Sequence, residues 1–578
     1  MSSKSLLTAT AGLVLALFVT ILIWNCARVG ITLDEPTRLL GGYLYWMNLP
    51  DAAPQDQPPL LGIVTGWAPR LLDIPLYRDH EIWKTAWKDH ISSFILDQLP
   101  GDVIGRLMFL ARLGVVMFPL LTALLLWRWS GRLFGPGTAL LVLLLFLLLP
   151  SARGHGALIT SDMAASFTYL LAAYLAWRYW RAPAWRRAAW LGLGAGLAPL
   201  AKLSLLIVPP LAALVILCRR ARVSSAGPAH GPARAPCLSF PAAALRKAGH
   251  LALSLALAYL VILAAYKFDT RRYTDQDLAF LRSEELFHPW LVQAIRVFEI
   301  IPLPADLQRG LQLMGGYYKT GAGIYFFGDV YQFGHWAYFP ACLALKTPVG
   351  FQALALGGLA ILAAGLLRKR IPADRLFLIA PCLIYLGFAM HSSIQLGIRL
   401  ILPSLVFLVL IAGYAIQALL RSRRGQIVLT VVFACIVVST GRVFPQDISY
   451  FNEWAGGPEN GWRYLSDSNI DWGHNLPDLA AYMKRQGIGR IRAFHFGFDK
   501  PHRYFGDDEW ERMPSPWTPH LVEGRVFLPE PGVYAVHVAL LGGQYYPLPY
   551  RDYLQAFRDR KPDARPGYGI FVYRIPPR

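Results

Sequence analysis

Apolar residues fall along this chain in runs of 14 to 21 positions, separated by short polar stretches and by a few long ones. The runs cover 6–26, 107–127, 133–150, 162–177, 188–201, 203–218, 250–266, 347–367, 376–391, 400–420 and 426–441. A helix crosses a bilayer with about 20 apolar residues, or fewer where its flanks can snorkel, so the pattern predicts eleven spanning helices. The fourth to sixth are the weakest, because Gly194, Gly196, Pro199 and the pair Pro209-Pro210 interrupt them. Such breaks are tolerated where neighbouring helices satisfy the freed backbone groups. The first run lacks a small-residue cleavage site and continues into Ile-Trp-Asn-Cys-Ala-Arg, so it reads as a retained helix.

The long intervening segments are 27–106, 267–346 and the tail from 442. A further stretch, 219–249, is rich in Ala, Pro, Gly and Ser and reads as a linker. In the tail, Leu476, Leu479, Ala480 and Met483 repeat at helical spacing and Gly487 follows as a stop. Arg490–Phe498, Gly532–Leu541 and Gly569–Ile575 have strand character. The expected fold class is therefore a polytopic α-helical membrane protein with a small extracytoplasmic α/β domain. Residues 1–441 form the membrane module, with outer loops 27–106 and 267–346, and residues 442–578 form the domain.

Composition agrees: of 578 residues, 55% are hydrophobic and only 16% charged, against about 25% charged in soluble domains. The mean hydropathy is +0.38. A net charge of +20 and a pI near 9.7 would suit a nucleic-acid binder until the charge is located. Twenty of the basic residues lie in segments on one side of the predicted membrane, and the short loops on the other hold only Arg153, Lys202 and Arg399. That is the positive-inside signature. It puts the N-terminus in the cytoplasm and the C-terminus outside, and nucleic acid is not an expected partner. The six cysteines form no CxxC pair, so neither a zinc knuckle nor a disulfide framework is expected.

Candidate chemistry gathers on the outer side. Asp34 and Glu35 lie eight residues beyond the first span among apolar neighbours, where desolvation would raise a carboxylate pKa and improve it as a base. A helix-end cap is the structural alternative. Asp56 and Gln57 precede a stiff Pro58-Pro59 pair and read, by themselves, as a turn. His155 and Asp162 flank the start of the fourth span, where a carboxylate is costly enough to suggest a role and an N-cap by Ser161 or Asp162 is the structural alternative. Lys202 and Arg399 are boundary cations that either snorkel or grip a lipid phosphate, Arg399 with fork geometry. The aromatic-dense stretch Gly323–Pro348 has the look of an interfacial belt, with His335 and Lys346 as its polar members.

Taken in order, these motifs resemble bacterial polyprenyl-phosphate-dependent glycosyltransferases of the GT-C class, the superfamily of protein O-mannosyltransferases and aminoarabinose transferases. The carriers are Asp34-Glu35 with the following Gly-Gly-Tyr, Asp-Gln-Pro-Pro-Leu, His155 with Thr160-Ser161-Asp162, Ala201-Lys202, the YFFG to WAYFP to KTP stretch and Gly397-Ile398-Arg399. The tail adds FNEWAGGPENGW and DSNIDWGHNL, similar to a SNxDWGQDL stretch of many bacterial members. The resemblance implies Asp34 as general base with Glu35 beside it, and Arg399, Lys202, Arg38 and Lys346 around the donor phosphate. It implies Asp56, Gln57, His155, Asp162 and His335 near substrate. Relatives carry a basic residue where Gln57 stands, and many have histidine at Arg38, so a divalent metal is an open question and Arg38 is expected to supply charge instead.

The implied partners are a polyprenyl-phosphate-linked sugar, an acceptor that is a lipid, a glycan or a protein, and membrane lipid. The implied place is a bacterial inner membrane, with the domain periplasmic. A transporter or flippase is the rival class, but transporters usually bury ionisable residues within the bilayer and show internal repeats, and no repeat is seen here. A non-catalytic scaffold is the third reading.

Overall fold

A computed structural model describes residues 3–49, 57–85, 88–219, 240–271, 301–514, 516 and 526–577. Each predicted apolar run falls on a helix. Among the described residues seven helices are both long and apolar enough to cross a membrane: Ser5–Arg28, Gly101–Phe134, Pro241–Ala265, Val349–Leu367, Ala373–Met390, Ile398–Leu419 and Arg423–Gly441. The other four runs fall on Pro136–Leu148, Asp162–Arg181, Trp185–Ala201 and Leu203–Cys218, which do not meet both conditions. The protein is a multi-pass membrane protein of helical-bundle type.

Two of these helices explain how the glycine-broken run packs. A Cβ on Gly192 or Gly196 would lie 2.3 or 2.5 Å from the carbonyl oxygens of Ser254 and Ala258. Trp185–Ala201 and the helix over 241–265 thus touch backbone to backbone, as small residues allow in membranes. Ile398–Leu419 is the most enclosed of the long apolar helices. Its N-terminal end is the turn bearing Arg399, which therefore stands on a rigid support.

The tail forms the helix Leu476–Gln486, ended by Gly487 in the left-handed conformation, and a four-stranded mixed sheet. Its strand order is Trp510–Arg512, Ile491–Phe494, Gly532–His537, Ile570–Ile575. The first three strands run parallel, and the last pairs antiparallel with Gly532 opposite Ile575 and His537 opposite Ile570. Trp510–Arg512 had too little alternation to be read from sequence. Ion pairs fasten the tail to the rest of the chain: Arg153 to buried Asp447 at 2.6 Å, Arg28 to Asp478 at 2.8 Å and Lys500 to Asp97 at 2.9 Å.

Candidate active site

Asp34 ends the stretch after the first span and precedes the helix Glu35–Trp46, but its side chain makes no capping bond. The carboxylate turns instead to Arg38 Nη2 at 2.9 Å, one helical turn on, and to Arg399 Nη1 at 3.2 Å. Arg399 Nη1 also lies 3.6 Å from Asp162, which takes a 2.8 Å bond from Lys202. Ser161 likewise makes no side-chain cap at its helix. Four residues spread over 366 positions of sequence, Asp34 to Arg399, thus form one alternating cluster with Arg38 at its edge. The cap readings fall away because the oxygens are spent on cations rather than on backbone amides.

The electrostatics of Asp34 reverse the sequence expectation. Burial pushes its pKa up, but the Arg38 and Arg399 guanidiniums outweigh burial and hold the carboxyl below its ordinary value. As the protein stands, Asp34 is a restrained base.

Glu35 points the other way, and here the expectation of a catalytic pair is corrected. Its two oxygens take 2.8 and 2.6 Å bonds from Arg112 and 2.9 Å bonds from the amides of Thr32 and Ile159, at 0% exposure. Burial again raises its pKa and Arg112 overcomes it. Arg112 also donates to the carbonyls of Cys26, Val29 and Gly30, so the pair locks the turn that carries Asp34. Sequence reasoning missed Arg112, although a lone arginine within the 107–127 run was a signal in itself. Glu35→Gln is expected to cost about 3–5 kcal/mol of stability by leaving a buried guanidinium unpaired, measured as unfolding in detergent. The folded fraction should keep its turnover within about tenfold; a much larger loss at unchanged stability would return Glu35 to the chemistry.

Lys346 is corrected too. It is 2% exposed, donates to the carbonyls of Ile448 at 2.7 Å and Asn469, and lies over the Phe451 ring at 4.4 Å. An ammonium so placed is a strut and not a phosphate ligand. Burial lowers its pKa to about 7, so between pH 7 and the ordinary value of 10.5 the unfolded chain holds a proton that the native chain has shed. Stability contributed by this site therefore rises with pH through that window, by up to about 1.4 kcal/mol per unit. Unfolding midpoints of Lys346→Met should lack that rise.

Among the remaining candidates, Gln57 accepts from Arg38 Nη1 and so aims its guanidinium. Both line a cavity of about 220 Å³ shared with Tyr45, Pro59, Tyr266 and Lys267. Asp56 lies outside the described residues. His155 is 2% exposed, with its ring 6.0 Å from that of Trp472 and its Nδ1 unbonded. Burial, opposed by Asp162 and reinforced by Arg399 and Lys346, lowers its pKa to about 3 and keeps it neutral. His335 stands in the aromatic hairpin, 4.9 Å from the Phe326 ring and 5.0 Å from Tyr331, and its amide donates to Gln395. Those contacts hold it in an aromatic stack instead of the charged cluster. Among the described residues no three His, Cys, Asp or Glu side chains are grouped to hold a metal. The cations of the cluster are Arg38, Lys202 and Arg399.

Residues 97–233 match the family model described as dolichyl-phosphate-mannose-protein mannosyltransferase. The fold is similar to that of ArnT from Cupriavidus metallidurans bound to undecaprenyl phosphate, at 11% identity and a TM-score of 0.45 over 98% of both chains. The apo state of that protein gives 13% and 0.32, over 98% of this chain and 97% of that one. An oligosaccharyltransferase from Archaeoglobus fulgidus, tethered with an acceptor peptide, gives 12% and 0.39, over 74% of this chain and 54% of its own. No curated protein matches in sequence. The segment that matches the family model carries Arg112, His155, Asp162 and Lys202.

Proposed function

We propose that the protein moves a sugar from a polyprenyl-phosphate donor to an acceptor hydroxyl at the outer face of a bacterial inner membrane, with inversion. The observation that carries this reading is the Arg399 guanidinium, shared by Asp34 at 3.2 Å and Asp162 at 3.6 Å. It joins a candidate base and a phosphate-gripping fork in one ion pair. The N-terminus is then cytoplasmic. Residues 1–441 act as the membrane module and 442–578 as a periplasmic domain.

In the reaction Asp34 takes the proton of the acceptor hydroxyl. The hydroxyl oxygen forms its bond to the anomeric carbon as the bond from that carbon to the phosphate oxygen breaks. The electron pair leaves with the lipid phosphate, whose charge Arg399, Lys202 and Arg38 stabilise. A donor phosphate entering the cluster competes with Asp34 for Arg399 and Arg38. It thereby lifts the restraint on the carboxylate, and the base becomes effective where the donor is bound.

The test uses purified full-length protein in detergent with a polyprenyl-phosphate sugar. Release of polyprenyl phosphate coupled to an acceptor glycoside of opposite anomeric configuration is expected. No consumption of donor in the presence of lipid, glycan and protein acceptor fractions would overturn the reading. Mass spectrometry of those fractions from cells with and without the gene identifies the acceptor class.

A further inference from the structure

The stretch 466–475 belongs to the tail by sequence, yet it touches both halves of the charged cluster. On the Arg399 side, Ser468 Oγ accepts from Arg399 Nε at 3.0 Å and donates to the carbonyl of Leu396. Asn469 Oδ1 accepts from the amide of Ile398 at 3.0 Å. Gly397 has φ +115°, and a Cβ there would lie 2.6 Å from Ser468 Oγ, so the two turns interlock only with glycine at this position. The indole of Trp472 then closes the face of the guanidinium, with Cζ 4.1 Å from the ring centroid.

On the Asp34 side, the carbonyl of the same Trp472 accepts from the amide of Leu33 at 2.9 Å. The carbonyl of His474 accepts from Gly30 at 3.1 Å, and Asp499 Oδ2 accepts from Ile31 at 2.9 Å. The run leading into Asp34 is therefore held by tail residues at Gly30, Ile31 and Leu33. Trp472 is 1% exposed, and its ring also lies edge-on to His155.

We propose that Trp472 is a positioning residue, whose ring fixes the Arg399 guanidinium and whose backbone fixes the Asp34 turn, so that the tail sets the placement of phosphate-binding cation against base. This rests on the roles given to Asp34 and Arg399 above. Two carboxylates pull on one edge of Arg399, and a guanidinium in such a field swings toward either unless its face and its Nε are both held. Trp472 and Ser468 supply those restraints. The tail is then part of the catalytic site and not a separate docking module.

The test is a double-mutant cycle on the full-length protein, read as affinity for polyprenyl phosphate alone and as kcat and KM for transfer. A desolvated cation–π contact corresponds to about 2–30-fold in affinity. Trp472→Phe is expected to weaken carrier binding about threefold and Trp472→Leu about tenfold or more, with kcat falling in the same order and unfolding midpoints of Trp472→Phe near wild type. In an Arg399→Lys background the Trp472→Leu effect should shrink, because the planar face is gone. Ser468→Ala, a small change, should weaken binding severalfold and covers the case in which Trp472→Leu does not fold. Additive effects, or wild-type affinity and turnover in both Trp472→Phe and Ser468→Ala, overturn the proposal while leaving the transferase reading in place. A wild-type protein that neither binds the carrier nor transfers sugar overturns both.

Discussion

Asp34→Asn is expected to lower kcat by about 10²–10⁴-fold, the usual worth of a positioned general base, while donor affinity stays equal or improves. The second half of that expectation separates this site from a simple loss of fold. Asp34 is bonded to Arg38 at 2.9 Å and Arg399 at 3.2 Å, so the carboxylate competes with any phosphate for both guanidiniums. Asparagine keeps the shape and removes the competing charge. The partners are not stranded, because Arg38 keeps Gln57 and Arg399 keeps Asp162 and Ser468. Turnover and donor binding of the purified variant check both halves. Unchanged turnover would remove Asp34 from the chemistry, and loss of both turnover and donor binding would make it a structural ion-pair member.

The helices were legible because a bilayer imposes a coarse rule, apolar length, that needs no knowledge of neighbours. The cluster was legible for a related reason. A charged group at a span boundary is costly, so Asp162, Lys202 and Arg399 each stood out before their partners were known. What could not be read was direction. Asp34 and Glu35 are adjacent in sequence, but one faces Arg399 and the other is sealed against Arg112. Burial alone argued for a raised pKa at Asp34, and only the convergence of two arginines reversed it.

Lys346 illustrates the same limit. Its position at a helix end beside an aromatic stretch suits either a ligand or a strut, and the carbonyls that decide the matter, those of Ile448 and Asn469, lie more than 100 residues away. Trp472 was visible within DSNIDWGHNL without any assignable role, since its partners Leu33 and Arg399 come from opposite ends of the membrane module.

Arg399→Ala should weaken donor binding by about 10²–10⁴-fold and Arg399→Lys by about tenfold. Two charge-assisted hydrogen bonds at about 1.5–3 kcal/mol each set the larger figure, and lysine keeps the charge without the fork. The fold should tolerate the change better than the loss of Arg112, because Asp34 retains Arg38 and Asp162 retains Lys202. A second readout follows from the sign of the electrostatics. Arg399 is one of the two cations that hold the Asp34 carboxyl below its ordinary pKa, so its removal raises that pKa. The acid limb of the pH profile of kcat/KM then moves to higher pH in Arg399→Ala, whereas in Arg399→Lys it stays near the wild-type position. Equal donor affinity in the alanine and lysine variants would argue against a phosphate contact. An acid limb that does not move in the alanine variant would mean that Arg399 and the titrating base are uncoupled, against the 3.2 Å bond that joins them.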